Sequence, residues 1–333
     1  MEKTIKVSVI MLAYNIGKYV ETAIKGVLRQ KTDYAIQLVI SEDCSTDNTL
    51  DICLRYQQQY PEIITLVRHP QNVGLQRNFM DAHRHCTGEY IAICDGDDYW
   101  FDCNKLQRMT DFMDTHPSFA LCFHRVINYY EENNTKSLSN GHQSTVTDII
   151  DLCRSNYITN SSSLFRRRYF PELPEWFAQA TSCDYAMHML NAQYGKIYYF
   201  KKPMAVYRKH VQGIWSEVGM GRQVNFALTV RELLIEYFQE KRPDVSDCIR
   251  QAHTGICLNL IRHYRKAGQT AQVSETSQRL LKYQPQWTLD DVKRQEILPS
   301  QNVGKMIKIQ FRKILTRGRE IISKYIPLPR ING

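Results

Sequence analysis

Residues 88–100 read GEYIAICDGDDYW, a short apolar run that ends in three acids. The apolar part has a β-branched bias, which predicts a strand buried on both faces. Asp95, Asp97 and Asp98 then follow it directly, and Gly96 allows a tight turn between them. Mg²⁺ in proteins is usually held by carboxylates together with substrate phosphates. The stretch therefore predicts a metal–diphosphate site, and a solvated acidic turn is the alternative.

The chain before this stretch alternates between strand-like and helix-like patterns. Apolar β-branched runs are followed by segments in which apolar residues recur at helical spacing. Such units fold into a parallel α/β sheet with right-handed crossovers. We predict strands at 6–14, 36–41 and 63–67, and helices at 18–30, from the Ser45–Asp47 cap to Tyr60, and at 75–86.

Beyond Trp100 the pattern becomes less regular, and from about residue 222 it is entirely helical. This change predicts a helical extension after the α/β region. We predict helices at 104–115, 146–154, 184–194, 246–266 and 270–283, strands at 119–129 and 158–166, two short strands within 196–208 broken at Pro203, and a polar loop at 131–144.

The composition is that of a globular protein kept in a reducing compartment. Of its 333 residues, 43% are hydrophobic and 23% are charged. No apolar run reaches the roughly 18 residues of a membrane-spanning helix. The ten cysteines include no C-x-x-C pair, which argues against a zinc site or a disulfide framework. Because the N-terminus runs straight into a predicted strand, we expect a cytoplasmic protein without a signal peptide.

The net charge of +9 is concentrated in the segment 301–330. Glu320 is the one acid there, so the segment carries +7 and the rest of the chain only +2. Its apolar residues share one side of a helical wheel, which is typical of a basic helix on an anionic membrane surface. The alternative is a helix packed on the domain, and nucleic acid is disfavoured because no binding motif accompanies the charge. The basic residues are Lys305, Lys308, Arg312, Lys313, Arg317, Arg319, Lys324 and Arg330.

Polar residues follow each of the first four predicted strands. The carboxyl ends of parallel strands meet at one edge of a sheet, where ligands bind. The first end is Ala13-Tyr14-Asn15, the second carries Asp43, and the third leads to Arg77. Tyr14 suits stacking on a base or packing, and Arg77 suits a bidentate phosphate contact. We expect the four strand ends to form one nucleotide-binding edge.

These motifs resemble an inverting family-2 glycosyltransferase with the GT-A fold, over about residues 5–215. The resemblance implies a GT-A Rossmann-like, mostly parallel sheet flanked by helices, with the all-helical extension after it. The matching pieces are AYN at 13–15, SEDCSTDNT at 41–49, NVGLQRN at 72–78, GEYIAICDGDDYW at 88–100, SSLFRR at 162–167, CDY at 183–185 and YRKH at 207–210.

The resemblance also implies a role for each matching residue. Asp43 matches the acid that reads the base, and Asp184 matches the general base. Glu42-Asp43-Cys44-Ser45 departs from the family's usual Asp-Asp-Gly-Ser, and Cys183 precedes Asp184 where a second acid is common. The residues implied to bind the nucleotide are Ala13, Tyr14, Asn15, Asp43, Arg77, Asp95 and Gly96. The implied ligands of Mn²⁺ or Mg²⁺ are Asp95, Asp97 and Asp98. The residues implied to bind the diphosphate and the sugar are Arg208, His210 and Ser162.

Three of these residues have a structural alternative. Asp184 follows Ser182-Cys183 and would also cap the predicted helix at 184–194. His210 lies beside a basic run and would also be a solvated or packed histidine. Ser162 would also be a polar position of a strand.

The sequence thus predicts a metal-dependent, inverting glycosyltransferase, and the resemblance implies a UDP-linked donor. The resemblance implies a saccharide or lipid-linked acceptor, as in bacterial surface-polysaccharide assembly. A sugar-nucleotide pyrophosphorylase is disfavoured because AYNIGKY, after the first predicted strand, lacks a Gly-rich loop. A non-catalytic nucleotide-sugar-binding protein is disfavoured because Asp95, Asp97 and Asp184 are all present. The predicted domains are 1–215, with a nucleotide-binding half 1–100 and an acceptor half 101–215, a helical extension 216–300, and a basic amphipathic tail 301–333.

Overall fold

The computed structural model describes residues 4–139, 141–211 and 220–297. These form two compact units, of which the second contains 150–156 and 220–297 and the first contains the rest. The division into three regions at 215 and 300 stays a prediction. The predicted basic tail, 301–333, lies outside the described residues.

One mixed ten-stranded sheet forms the first unit, in the order β3-β2-β1-β4-β9-β6-β10-β5, with β7 beside β6 and β8 beside β10. Neighbours among β3, β2, β1 and β4 are parallel, as are β6 and β10, whereas β9 runs antiparallel between β4 and β6. The strands are β1 (Ile5–Ala13), β2 (Ala35–Glu42), β3 (Ile64–Arg68), β4 (Tyr90–Ile93), β5 (Tyr99–Trp100), β6 (Phe119–Tyr130), β7 (Thr135–Leu138), β8 (Val146–Thr147), β9 (Leu164–Arg166) and β10 (Lys196–Lys209).

Helices flank the sheet in the first unit and make up most of the second. All four residues of β4 are buried, as the apolar run in its sequence predicts. The helices are α1 (Val20–Leu28), α2 (Thr49–Gln59), α3 (Leu75–Arg84), α4 (Lys105–Thr115), α5 (Ile149–Arg154), α6 (Cys183–Ala192), α7 (Met220–Phe238), α8 (Pro243–Lys266), α9 (Thr270–Tyr283) and α10 (Leu289–Ile297). The predicted fold class, a mostly parallel α/β sheet with a helical C-terminal region, is confirmed.

A partly buried charge cluster joins three helices of the second unit. Glu232 on α7 accepts hydrogen bonds from the Arg279 guanidinium on α9 at 2.5 and 2.9 Å. Its Oε1 also lies 2.9 Å from the ring Nε2 of His253 on α8. Because each charge has a partner, the cluster ties the helices together without leaving an isolated buried charge. Within the described ranges, we find no helix that is both long and apolar enough to span a membrane.

Two local predictions at the sheet edge were wrong. The predicted polar loop at 131–144 contains β7, which pairs antiparallel with β6. The predicted helix at 146–154 begins only at Ile149, because Val146 and Thr147 pair with β10. The secondary structure of such short segments depends on pairing with distant strands, and their own sequence pattern does not reveal that pairing.

Two predictions near the site also need correction. The predicted strand at 158–166 is limited to β9, since Asn160–Ser162 form a 3-10 turn before it. Pro203 does not break β10, because the strand absorbs it with register shifts on either side. Proline cannot donate a ladder hydrogen bond, and a bulge is one of the places in a sheet that tolerates it.

Candidate active site

The carboxyl ends of β1 to β4 lie along one edge of the sheet, as predicted, because the four strands are parallel neighbours. The acidic turn after β4 packs closely against the end of β1. The backbone N–H of Gly96 donates to the Leu12 carbonyl at 3.3 Å, and a Cβ on Gly96 would lie 2.7 Å from that oxygen. Only glycine allows this approach, so Gly96 positions the acids on either side of it.

Asp95 is partly buried and is held by the turn that precedes β9. The Asn160 side-chain amide donates to both carboxylate oxygens at 3.1 Å. The Ser161 hydroxyl lies 3.2 Å from Oδ2 of the same carboxylate. This turn reaches the acids because β9 pairs directly with β4.

Asp98 is fully buried beneath the same turn. Its Oδ2 is hydrogen-bonded to the Ser161 hydroxyl, and its Oδ1 accepts from the backbone N–H of Arg208 at 2.8 Å. One hydroxyl hydrogen cannot serve both Asp95 and Asp98 at once. Both Asp98 oxygens are thus engaged within the protein, and its role as a metal ligand stays a prediction.

Burial and neighbouring negative charge raise the proton affinity of Asp95 and Asp98. Burial, together with the negative charge of Asp97, raises the pKa of Asp95 to about 7. Burial and the charges of Asp97 and Asp95 hold the pKa of Asp98 well above its usual range. Because a bound cation would relieve this repulsion, the cluster fits a divalent metal.

Asp97 is the acid that faces the basic side of the site. Its Oδ2 lies 3.0 Å from Nε2 of His210, and its carbonyl accepts from the Arg208 guanidinium at 3.0 Å. The described residues contain no group of three or more His, Cys, Asp or Glu side chains arranged to hold a metal by themselves. Asp97 and Asp95 would hold a metal only in part, which fits a cation completed by substrate phosphates and water.

The end of β1 is joined to the loop after β2. Asn15 adopts a left-handed conformation with φ 52°, its N–H donates to the Ser45 hydroxyl at 3.0 Å, and its Oδ1 accepts from Thr46 N–H at 2.8 Å. Tyr14, 47% exposed, is open to a ligand, whereas Ala13 is buried. These contacts shape the edge formed by the strand ends, and direct ligand contacts of Ala13, Tyr14 and Asn15 stay predictions.

Asp43 has a structural role that sequence reasoning missed. Its buried carboxylate accepts from the backbone N–H groups of Val73 and Gly74 at 2.7 and 3.0 Å. It thereby fixes the turn before α3, where Gly74 has φ 85°. Each carboxylate oxygen can accept a second hydrogen bond, so its reading of a base stays a prediction.

Two predicted site residues make other contacts. Arg77 is exposed on α3 and lines a surface cavity of about 320 Å³ with Met80, Asp81, Arg84, Glu175 and Ala178. The Ser162 hydroxyl donates to the Thr159 carbonyl at 2.6 Å within its own turn. The structure therefore brings Ser161, and not Ser162, to the acids. The ligand contacts of Arg77 and Ser162 stay predictions.

Asp184 lies in the first turn of α6, where it is partly buried and accepts a hydrogen bond from Ser182. This is a contact between two side chains, and the N-cap residue Ser182 makes no side-chain cap hydrogen bond, so the general-base role and the capping alternative both stay predictions. The negative charge of Asp184 is also among the causes that raise the pKa of Asp95. The two acids are thus close enough for their charges to interact.

The match to the family model of glycosyl transferase family 2 spans residues 8–174, half of the chain. The chain belongs to glycosyl transferase family 2. This confirms the resemblance found in the sequence. An uncharacterized protein of Mycobacterium tuberculosis, Rv1520, is 33% identical over 220 residues, which are 65% of this chain and 62% of that protein. The chain thus spans about three fifths of the length of this curated relative.

Two solved structures share the fold of this family member. S. aureus TarS 1-349 in complex with UDP-GlcNAc has a TM-score of 0.54 and 16% identity, over 86% of this chain and 93% of that one. The mannosyltransferase PcManGT from Pyrobaculum calidifontis, in complex with GDP-Man and Mn²⁺, has a TM-score of 0.53 and 15% identity, over 94% and 81%. At these identities, the likeness shows the fold alone.

Proposed function

We propose that this family-2 member is a metal-dependent, inverting glycosyltransferase that uses a UDP-linked sugar and transfers it to a hydroxyl of a saccharide or lipid-linked acceptor. The observation that carries the proposal is the acid cluster at the end of β4, faced by Arg208 and His210. Acids that adjoin basic side chains suit a metal-bound diphosphate, because the acids bind the cation and the basic groups bind phosphate oxygens. The Mn²⁺ and nucleotide-sugar complexes of proteins with the same fold support this assignment.

The chain's own residues would handle the charge of the leaving group. A divalent cation, when bound by Asp97 and Asp95, neutralises negative charge that develops on the diphosphate. Arg208 adds positive charge and hydrogen-bond donors at the same place, and the ring of His210 adds a further polar contact. As the acceptor oxygen bonds to the anomeric carbon, the bond to the diphosphate breaks and its electron pair leaves with the diphosphate. Attack from the opposite face inverts the anomeric centre.

Asp184 is proposed as the general base that takes the proton of the acceptor hydroxyl. We expect Asp184→Asn to keep donor affinity but to slow transfer about 10²–10⁴-fold, the usual contribution of a positioned base. Steady-state transfer rates and calorimetric UDP affinity test the two parts separately. Transfer at near the wild-type rate would mean that another residue is the base.

The metal proposal is tested by nucleotide binding in Mn²⁺ and in EDTA. We expect Asp97→Ala to bind UDP much more weakly and to lose the effect of Mn²⁺, with an unchanged circular dichroism spectrum. Asp111→Ala, an exposed acid on α4, serves as the matched control and should bind as the wild type does. Equal UDP affinity of the wild type with Mn²⁺ and with EDTA would refute metal dependence.

The place of action is also proposed. The basic segment 301–330 would hold the protein at an anionic membrane surface on the cytoplasmic side, at about 1 kcal/mol for each nearby Lys or Arg. Truncation after Ser300 should leave UDP binding intact and abolish salt-sensitive sedimentation with phosphatidylglycerol vesicles. Full-length protein that does not sediment with such vesicles at low salt would refute this placement.

A further inference from the structure

Arg208 is held between two tyrosine rings. Its guanidinium carbon lies 5.2 Å from the ring centroid of Tyr19 and 4.6 Å from that of Tyr99. A planar guanidinium between aromatic faces gains cation–π attraction and keeps a fixed orientation. The same group donates to the Asp97 carbonyl at 3.0 Å, so the rings aim it at the acidic turn.

The ring of Tyr19 also contacts His210. The two ring centroids are 4.6 Å apart at an angle of 38°. His210 is 5% exposed, and its Nδ1 has no hydrogen-bond partner in the part of the chain that the structure describes. Its orientation therefore depends on the Asp97 contact at Nε2 and on packing against Tyr19. One side chain thus touches both basic residues that contact Asp97.

Tyr19 is itself fixed by Glu131 at the end of β6. The Tyr19 hydroxyl donates to Glu131 Oε2 at 2.6 Å, and Lys18 Nζ lies 2.9 Å from Oε1. The backbone N–H of Glu131 donates to the Lys209 carbonyl at 3.0 Å, between the two basic residues. Glu131 therefore contacts both Tyr19 and the backbone between Arg208 and His210, so these residues form a closed ring of contacts.

We propose that Tyr19, anchored by Glu131, is a positioning residue that holds Arg208 and His210 ready for the diphosphate of a nucleotide donor. This inference rests on the proposed function for the identity of the ligand. The ring of Tyr19 supplies the contacts with both basic residues, and its hydroxyl fixes the ring. Loss of the ring weakens diphosphate binding specifically, while the part of the site that reads the nucleoside stays intact.

The experiment compares the affinities of UDP and uridine in Mn²⁺, by calorimetry and ligand-observed NMR. We expect Tyr19→Leu to weaken UDP binding about 10-fold and to leave uridine binding unchanged, because the variant loses one cation–π contact with Arg208 and one ring contact with His210. Tyr19→Phe keeps the ring and should lose only about 3-fold, the size of one lost hydrogen bond. Tyr56→Leu is the matched control, because Tyr56 is a buried tyrosine that donates to Glu21 at 2.9 Å on another helix.

Amide hydrogen exchange without ligand gives a second readout that does not depend on donor chemistry. Faster exchange across residues 204–210 in Tyr19→Leu, with Tyr19→Phe close to wild type, supports the proposal. Any of three results would overturn the proposal. The first is unchanged exchange at residues 204–210 in Tyr19→Leu, and the second is an equal loss of UDP and uridine affinity. The third is an effect of Tyr56→Leu as large as that of Tyr19→Leu. If the wild type binds no UDP, the proposed function fails, whereas the exchange measurement still decides the role of Tyr19. If Tyr19→Leu does not fold, Tyr19→Phe alone must shift UDP against uridine.

Discussion

We expect the acid cluster to lower the free energy of unfolding when no metal is bound. Asp95→Asn, which removes one of the charges, should therefore raise the free energy of unfolding. The folded protein raises the pKa of Asp95 from 3.8 to about 7 through burial and the charge of Asp97. The folded state therefore binds more protons than the unfolded state between pH 4 and pH 7, and stability falls as the pH rises through that window. Above pH 7 the full cost is present, so the substitution should stabilise the protein most at pH 8.

The magnitude follows from the size of the pKa change. At 1.36 kcal/mol for each tenfold change in proton affinity, a rise from 3.8 to about 7 corresponds to about 4 kcal/mol. Because Asp95 keeps partial exposure, solvent screening reduces this value, and we expect a gain of about 2 kcal/mol in EDTA. An amide at this position retains an acceptor for Asn160 and carries no charge.

Urea unfolding in EDTA at pH 5 and pH 8, followed by tryptophan fluorescence, measures the free energy of unfolding. Asp95→Asn should exceed the wild type at pH 8, and the difference should shrink towards pH 5. Glu62→Gln, an exposed acid between α2 and β3, should show no such difference. Added Mn²⁺ should stabilise the wild type more than the variant. A variant that is equal to or less stable than the wild type at pH 8 would refute the reasoning.

Two further predictions concern residues outside the acid cluster. Lys105 is buried with its Nζ 3.5 Å from the Trp100 ring centroid, without a hydrogen-bond partner among the described residues, and burial lowers its pKa to about 7. Lys105→Met should therefore raise the free energy of unfolding by about 1 kcal/mol or more at pH 7. The gain should be smaller at pH 10, because Lys105 is deprotonated in the folded state but protonated in the unfolded state between those pH values, so that wild-type stability rises with pH. A loss of stability in urea titrations would contradict this prediction. Cys44 has φ 59°, so Cys44→Gly should gain up to about 1 kcal/mol in the same titrations, and no gain would show that the conformation is unstrained.

The arrangement of the first four strand ends along one edge is predictable from the sequence because its signals are local. Apolar periodicity places β1 to β4, and the acids stand immediately after β4. Chain order and parallel pairing then bring the strand ends together. For this reason Asp95 and Asp97 were assigned to the site from the sequence, and the structure places them on one turn.

The contacts that tune the site are not local. Ser161 reaches Asp98 across 63 positions because β9 inserts antiparallel between β4 and β6, and no periodicity in residues 158–166 predicts that insertion. Asp43 binds backbone N–H groups, which have no sequence signature. The Asn-Ser-Ser-Ser run before β9 is the one signal that would have directed attention to Ser161.

The central claim is that the acids after β4 support metal-dependent transfer of a sugar from a nucleotide. The most direct measurement incubates the protein and Asp97→Ala with UDP-, GDP- and dTDP-sugars and saccharide acceptors, with Mn²⁺ or EDTA, and reads the product by ¹H NMR. We predict a glycoside of inverted anomeric configuration, formed from a UDP-sugar by the wild type in Mn²⁺ and absent both in EDTA and for Asp97→Ala. A product of retained configuration, or equal formation in EDTA, would contradict it.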